Sequence, residues 1–212
     1  MRGGILEPMA VVRFKDASVP LPAGYNEFRR PLLKFRDHHP RYLSNVFVMM
    51  SFENSKQNKA IAAAIRSALA EYGLVGLRAD DGSYSPRLWD NVSTYLLGCR
   101  YGVAVFEKSA KAGFNPNVAI ELGFSLLRNN KVLILKDSRI RTLPADIVGN
   151  LYHQFDPKQI TKSVKKEVGK WAGDLGFNER APQATWKQLT AKEKQILAGV
   201  AAAWEKAGIS FR

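Results

Sequence analysis

Four short runs, VFVMM (46–50), LVGL (74–77), YGVAVF (101–106) and KVLILKD (131–137), are almost continuous in apolar, β-forming residues. A strand with one wet face alternates apolar and polar side chains, whereas a strand covered on both faces does not. Between these runs lie segments with apolar residues at helical spacing. NKAIAAAIRSALAEY (58–72) carries them at Ile61, Ile65, Ala68, Leu69 and Tyr72, and SPRLWDNVSTYLLG (85–98) and NPNVAIELGFSLL (115–127) follow. LYHQFD (151–156) reads as a fifth strand, TLPADIVGN (142–150) as a short helix or turn, and PKQITKSVKKEVGKWAGDLG (157–176) as a closing helix. Strands alternating with helices of this length require right-handed crossovers and a parallel sheet. The expected fold class is therefore α/β, a five-stranded parallel doubly wound sheet of flavodoxin-like order with VFVMM at its centre.

The punctuation agrees with this division. Gly73 sits where a left-handed helix cap belongs. Ser85 with Pro86 reads as a helix start, and Asn115-Pro116-Asn117 as a turn that opens the next helix. Residues 1–45 have no clear period and carry prolines at 8, 20, 22, 31 and 40, so they read as an extension in which MAVVRF can pair as an edge strand. Residues 46–176 form the α/β domain. Residues 177–212 form a C-terminal helical segment, with a capping box at Thr190 and Glu193 opening an amphipathic stretch over 190–208.

Composition narrows the function classes. One cysteine, Cys99, excludes an internal disulfide framework and fits a reducing cytoplasm. No apolar run reaches the roughly 18 residues of a membrane span, and the N-terminus lacks a signal-peptide pattern, so a cytoplasmic protein without a membrane partner is expected. The net charge of +13 lies mostly in the flanks: eight Lys/Arg against four acids in 1–45, and eleven against five in 157–212. A solvated basic surface explains this more simply than a nucleic-acid face, because adjacent Lys/Arg never run beyond two. His38, His39 and His153 do not form a metal set with Cys99, and no metal is expected. Neither a G-x-x-x-x-G-K-[ST] loop nor a G-x-G-x-x-G turn is present.

Ligands of open α/β sheets bind outside the carboxyl ends of the strands, where the strand order reverses. That rim would hold MMSFEN, RADDGSY, FEKSAKAGFNPN and LKDSRIR. Glu121 lies in the early turns of the helix opened by Asn115. A carboxylate there is favoured by the helix dipole and is expected to face the crevice rather than the sheet, dried by Ile120, Leu122 and Phe124. The backbone around Asn117 could hold a phosphate or ribose hydroxyl. Alternatively, Glu121 stabilises only its own helix. Gly123 costs that helix about 1 kcal/mol relative to alanine, which points to close approach of another backbone or a ligand. Beside Met50, the Ser51 hydroxyl and Phe52 ring can bind phosphate and stack on a base, or merely cap a loop and cover the sheet edge. One of Asp80 and Asp81 could bond ribose hydroxyls, although Asp81-Gly82 also suits a plain turn. Trp89 lines either the pocket or, more in keeping with its helix, the core. Lys108 and Lys111 could meet phosphates or simply be solvated.

VFVMMSF, RADDGSYSPRLWDNV, YGVAVFE, FNPNVAIELGFSLL, KVLILKD and TLPADIVGNLYHQFD occur in that order. Together they resemble the bacterial TIR-like and nucleoside 2-deoxyribosyltransferase-like superfamily over about residues 45–157. The N-P-N-V-x-x-E-L-G element is the most specific part. The resemblance implies a TIR-like α/β domain and places the family's catalytic glutamate at Glu121. Met50, Ser51, Phe52, Asp80, Asp81, Trp89 and Asn117 would form a nucleotide-binding rim. It further implies an N-glycosidase that hydrolyses the nicotinamide–ribose bond of NAD or a related nucleotide. NAD would then be substrate rather than cofactor, and the protein an antiphage-defence effector working as a homo-oligomer or with a partner protein. Two other readings stay open: a nucleotide sensor without catalysis, and a deoxyribosyltransferase or nucleic-acid glycosidase.

Overall fold

The computed structural model describes residues 10–21, 24–108, 113–128, 130–143 and 152–178. Residues 1–179 form one compact unit and 180–212 a second. The second unit, the helix expected over 190–208 and most of TLPADIVGN lie outside the described residues. The C-terminal helical segment thus enters the description only at residues 177 and 178.

The main sheet contains five parallel strands: β3 (Asn45–Met49), β4 (Val75–Leu77), β5 (Tyr101–Phe106), β6 (Lys131–Asp137) and β7 (Tyr152–Phe155), in the order β4-β3-β5-β6-β7. This is a doubly wound α/β fold. The central strand is β5, not the VFVMM strand, which lies one place in from the edge. The run of apolar residues shows that a strand is covered on both faces, which holds for both β3 and β5, and so it could not rank them. Val103, Ala104, Val105 and Phe106 are all fully buried.

Two hydrophobic layers flank the sheet. Helices α2 (Lys56–Glu71) and α5 (Ile160–Asp174) share one cluster with Val46, Val48, Val103, Val105, Leu133 and Leu135. Helices α1 (Arg29–His38), α3 (Leu88–Gly98) and α4 (Pro116–Leu127) share the other with Phe47, Met49, Ala104, Phe106 and Ile134. This split follows from right-handed crossovers. The chain leaves β3 for β4 in one direction and returns past β3 to β5 in the other, so α2 and α3 fall on opposite faces. Ser55 caps α2 by accepting the Asn58 N–H at 3.0 Å. At the other end Gly73 (φ 71°) turns the chain while Leu74 N–H reaches Leu69 O and Gly73 N–H reaches Ala70 O, both at 3.0 Å. These are the paired bonds of a Schellman cap.

Three local expectations are corrected. MAVVRF does not join the main sheet: β1 (Ala10–Arg13) pairs antiparallel with β2 (Ser18–Leu21) in a separate hairpin. Helix α1 was hidden by Pro31, which reads as a breaker but occupies the first helical turn, where no backbone N–H partner is lost. Helix α3 begins at Leu88, after an uncapped Arg87, rather than at Ser85-Pro86. The Ser85 hydroxyl instead points to Asp90 at 3.3 Å and accepts the Arg87 N–H at 3.4 Å.

Helices α1 and α3 meet at a glycine. A Cβ on Gly98 would lie 2.4 Å from Cε1 of Phe35, a fully buried ring. Phe35 in turn packs edge-on against Tyr84 and Tyr95. Gly98→Ala is expected to cost about 1–2 kcal/mol through forced displacement of that ring, seen as a lower denaturation midpoint. An unchanged midpoint would show that the aromatic cluster has slack.

Candidate functional site

The strand order reverses between β3 and β5, so the crevice of this sheet opens at their carboxyl ends. Met50, Ser51 and Phe52 leave β3, Glu107 leaves β5, and α4 starts nearby and runs back along the sheet.

Helix α4 is opened by Asn115, whose side chain accepts the Asn117 N–H at 3.0 Å, with Pro116 as first helical residue. One of the helix-start N–H groups expected to hold a phosphate is therefore already satisfied. Val118, Glu121, Leu122 and Ser125 are its buried residues. Their 3–4 spacing makes a single stripe that faces the sheet. Glu121 therefore points inward, with only 8% of its surface exposed, rather than away from the sheet. Ile120 and Phe124 do not bury it, being 52% and 41% exposed; Leu122 shares its stripe. Helix α4 is apolar nearly all round, so sequence neighbours alone could not identify the inner face.

Depth along α4 locates the carboxyl. Ser125 Oγ lies 3.6 Å from Sδ of Met49, the last residue of β3. Glu121 stands one turn, about 5–6 Å, nearer the helix start, and helical side chains lean toward that end. Its carboxyl accordingly lies at or beyond the end of β3, on the crevice side. It makes no hydrogen bond or ion pair among the described residues, and burial alone pushes its pKa up to about 7. A carboxyl shielded from most of its water without a cationic partner is costly to ionise, and such groups concentrate at functional sites.

Gly123 faces outward, and an added Cβ would meet nothing within 4 Å among the described residues. The expected close approach is absent there. Gly123→Ala should stabilise the protein by about 0.5–1 kcal/mol through helix propensity. A loss of stability would reveal a contact outside the described residues.

Around the end of β3 the predicted residues divide. Met50 is buried in the α2 layer and receives Nη1 of Arg78 at 3.4 Å, so it supports the loop from below. The Ser51 hydroxyl accepts the Glu53 N–H at 3.1 Å, the loop-capping role. Phe52 is 43% exposed, with its ring available to stack. Together with Arg78, Asp80, Asp81, Arg66 and Lys59 it lines a cleft of about 320 Å3. Asp80 is held by Arg78 at 2.6 and 2.8 Å, and Asp81 accepts from Arg66 at 2.5 Å and from the Arg78 N–H at 2.7 Å. Both acids already have cationic partners. Trp89 is not in the core: it is 45% exposed and packs on Phe124, with ring centres 5.4 Å apart. The two rings line an apolar cavity of about 650 Å3 with Tyr25, Phe28, Leu96 and Leu127. At the start of α3 a side chain can turn outward, which helical period alone did not reveal. Asn117 is exposed.

Two acids escaped the sequence reading. Glu107 is only 4% exposed, and its Oε1 accepts the Ser51 N–H at 3.1 Å, joining β5 to the loop after β3. Burial raises its pKa, and Glu53 adds to the rise; its own N–H, that of Ser51 and the charge of Arg78 oppose it. Asp137, fully buried at the end of β6, has the opposite balance. Burial would raise its pKa, but Arg139 bonds to both its oxygens and holds the carboxyl below the ordinary range. Arg139 also reaches Gln57 at the start of α2. The signal for both was an acid closing an apolar run, VAVFE and LILKD.

No cluster of His, Cys, Asp or Glu suited to a metal ion occurs among the described residues. His38 instead meets the Tyr84 hydroxyl at 3.2 Å, His153 meets Glu167 at 2.6 Å, and Cys99 is buried. No helix of the described residues is long and apolar enough to cross a membrane.

No protein-family model and no curated protein matches the sequence. Among solved structures, the chain is similar to a 2-deoxyribosyltransferase from Bacillus psychrosaccharolyticus, with 16% identity and a TM-score of 0.43 over 55% of this chain and 90% of that one. It is similar to the CMP N-glycosidase BcmB of Clostridium botulinum, with 14% identity and a TM-score of 0.44 over 60% and 98% of the two chains. A 2-desoxiribosyltransferase from Leishmania mexicana gives 14% identity and 0.36 over 44% and 64%. At such identities and scores the functional reading rests on the chain's own residues.

Proposed function

We propose that this protein cleaves the N-glycosidic bond of a nucleoside or nucleotide, with Glu121 as the carboxylate that acts on the sugar. The observation that carries this reading is the Glu121 carboxyl at the mouth of the β3/β5 crevice, on a residue only 8% exposed and without a hydrogen bond or ion pair among the described residues. Breaking a bond between a sugar and a base builds positive charge on the anomeric carbon and ring oxygen, as in glycoside hydrolysis. A fixed carboxylate beside that carbon stabilises the charge, or attacks it to give a glycosyl ester that water then opens. Burial strengthens either effect, because the charge is poorly screened by water.

The N-P-N-V-x-x-E-L-G resemblance makes the nicotinamide–ribose bond of NAD one candidate, with an antiphage-defence role as its setting. Nucleosides and nucleotides with ordinary bases are the other candidate. Mass spectrometry of a nucleotide panel, incubated with protein at concentrations that permit self-assembly, tests the reading. Free base or nicotinamide should accumulate with the wild-type protein and not with Glu121→Gln. Binding of nucleotides with no turnover would favour a sensor instead.

A further inference from the structure

The apolar cavity of about 650 Å3 between α3, α4 and residues 24–28 is not lined by Glu121 and has no part in the chemistry assigned to it. Phe28, Leu96 and Leu97 give it buried surface, while Tyr25, Trp89 and Phe124 give it half-exposed rings. The rings stand in two tilted pairs, Trp89 with Phe124 at 5.4 Å between centres and Tyr25 with Phe28 at 5.8 Å. A concave, mostly aromatic space of this volume suits a small molecule with a flat apolar body. One polar group in the wall selects its charge. Arg128, in the turn that closes α4, lines the cavity, and its Nε is shut from solvent with no hydrogen-bond partner. Arg128 makes no ion pair among the described residues. Its charge acts on the Cys99 thiol, but burial pushes that thiol well above its ordinary pKa against the pull of Arg128, so the neighbour stays neutral. Glu27, the acid of the lining, is solvent-exposed. A guanidinium that has lost hydration at one atom without gaining an anion is left uncompensated. Arg128 as a whole stays partly exposed, so an anion in the cavity can meet its charge although Nε itself is sealed.

We propose that this cavity is a second ligand site, which takes an aryl carboxylate with its aromatic body between the two ring pairs and its carboxylate at the Arg128 guanidinium. The inference does not depend on the reading of Glu121. The aromatic walls supply burial and ring contacts for the body. The guanidinium supplies the sign preference, because a charge-assisted hydrogen bond to a carboxylate is stronger than one to a neutral group.

Three probes of one shape test it: 2-naphthoate, 2-naphthalenemethanol and 2-naphthylmethylammonium, titrated into the full chain at neutral pH. The Trp89 indole N–H signal in the nuclear magnetic resonance spectrum reports occupancy. Naphthoate should bind once per chain with a Kd of about 0.1 mM. The alcohol should bind about 10-fold more weakly, and the ammonium more weakly still. Arg128→Met keeps an apolar stem without the charge, so naphthoate should fall about 10-fold, to the level of the alcohol, while the alcohol changes less than about 2-fold. Phe124→Ala, at a half-exposed ring that the fold does not need, should weaken naphthoate and alcohol alike. No response at Trp89 would overturn the proposal. So would equal affinities for the three probes, or a naphthoate preference that survives Arg128→Met; either would leave Arg128 as a charge serving the end of its own helix. A dimer in sedimentation that excludes naphthoate would assign this face to a second copy of the chain and overturn it too. Glu121→Gln should bind naphthoate like the wild type, and a loss there would move the probe to the crevice and sink the second site.

Discussion

Glu121→Gln should lower base release about 1,000-fold while making the protein more stable above pH 7. The catalytic part follows from charge. Glutamine keeps the shape of the side chain but can neither ionise nor form an ester at the anomeric carbon, and loss of one preorganised electrostatic group costs about 100- to 1,000-fold. The stability part follows from linkage. Burial raises the Glu121 pKa from 4.5 to about 7 in the folded protein. The folded state therefore holds this proton more tightly than the unfolded chain. The associated stability is fully present below pH 4.5 and is lost as pH rises through about 7. At pH 8.5 ionised Glu121 then costs the wild-type protein about 3 kcal/mol relative to its state at low pH. Glutamine never ionises and avoids that cost. Melting of the two proteins at pH 5 and pH 8.5 provides the measurement: the curves should nearly coincide at the lower pH and separate at the higher. A gap that does not change with pH would mean that the carboxyl has a compensating partner. In the free wild-type enzyme the same titration should make kcat/KM climb with pH through about 7.

Asn91→Ala should destabilise the protein by about 3 kcal/mol and loosen the loop that carries Asp80 and Asp81. Asn91 is buried in the first turns of α3. Its Oδ1 accepts the Tyr84 N–H at 2.7 Å, and its Nδ2 donates to Ala79 O at 2.7 Å and to Gly82 O at 2.9 Å. One side chain thus replaces the ladder that this irregular segment lacks. Alanine leaves up to three backbone groups without it, each worth about 1–3 kcal/mol if no water enters; Gly82 O keeps the Tyr95 hydroxyl at 3.3 Å. Denaturant unfolding gives the magnitude, and hydrogen exchange at the Tyr84 amide gives the place. A loss below about 1 kcal/mol with Tyr84 still protected would show that the loop is held by its Arg78–Asp80 and Arg66–Asp81 pairs instead.

The strands and helices of the α/β unit were legible because their signals are local. Continuous apolar runs, Gly73 and Asn115-Pro116 each act within a few residues, and the structure places β3, β5, β6, the α2 cap and the α4 start where those signals lie. The hairpin β1–β2 and helix α1 were not legible. Their apolar residues (Val12, Val19, Leu21, Leu32 and Phe35) follow no long period and make sense only against Phe47 and Met49 of the distant β3. The rim residues show the same limit. Phe52 could be placed at a strand end from sequence, but the Arg66 partner of Asp81 could not, because Arg66 lies on another element.

Residue type and spacing were enough to show that the chain winds a parallel sheet and that an acid follows the Asn-Pro-Asn turn. Covered strands and helix starts are written in residue type and spacing, which survive without knowledge of neighbours. Tertiary structure alone decided which face of an all-round apolar helix turns inward. It thereby made Glu121 a buried carboxyl with a pKa near 7 instead of a solvated first-turn acid. It also brought Glu107, just past β5, against Ser51 in the loop after β3, residues 56 positions apart, leaving one carboxyl oxygen without a partner among the described residues. Burial and pairing are properties of what surrounds a group, and those surroundings exist only once the sheet has closed over them.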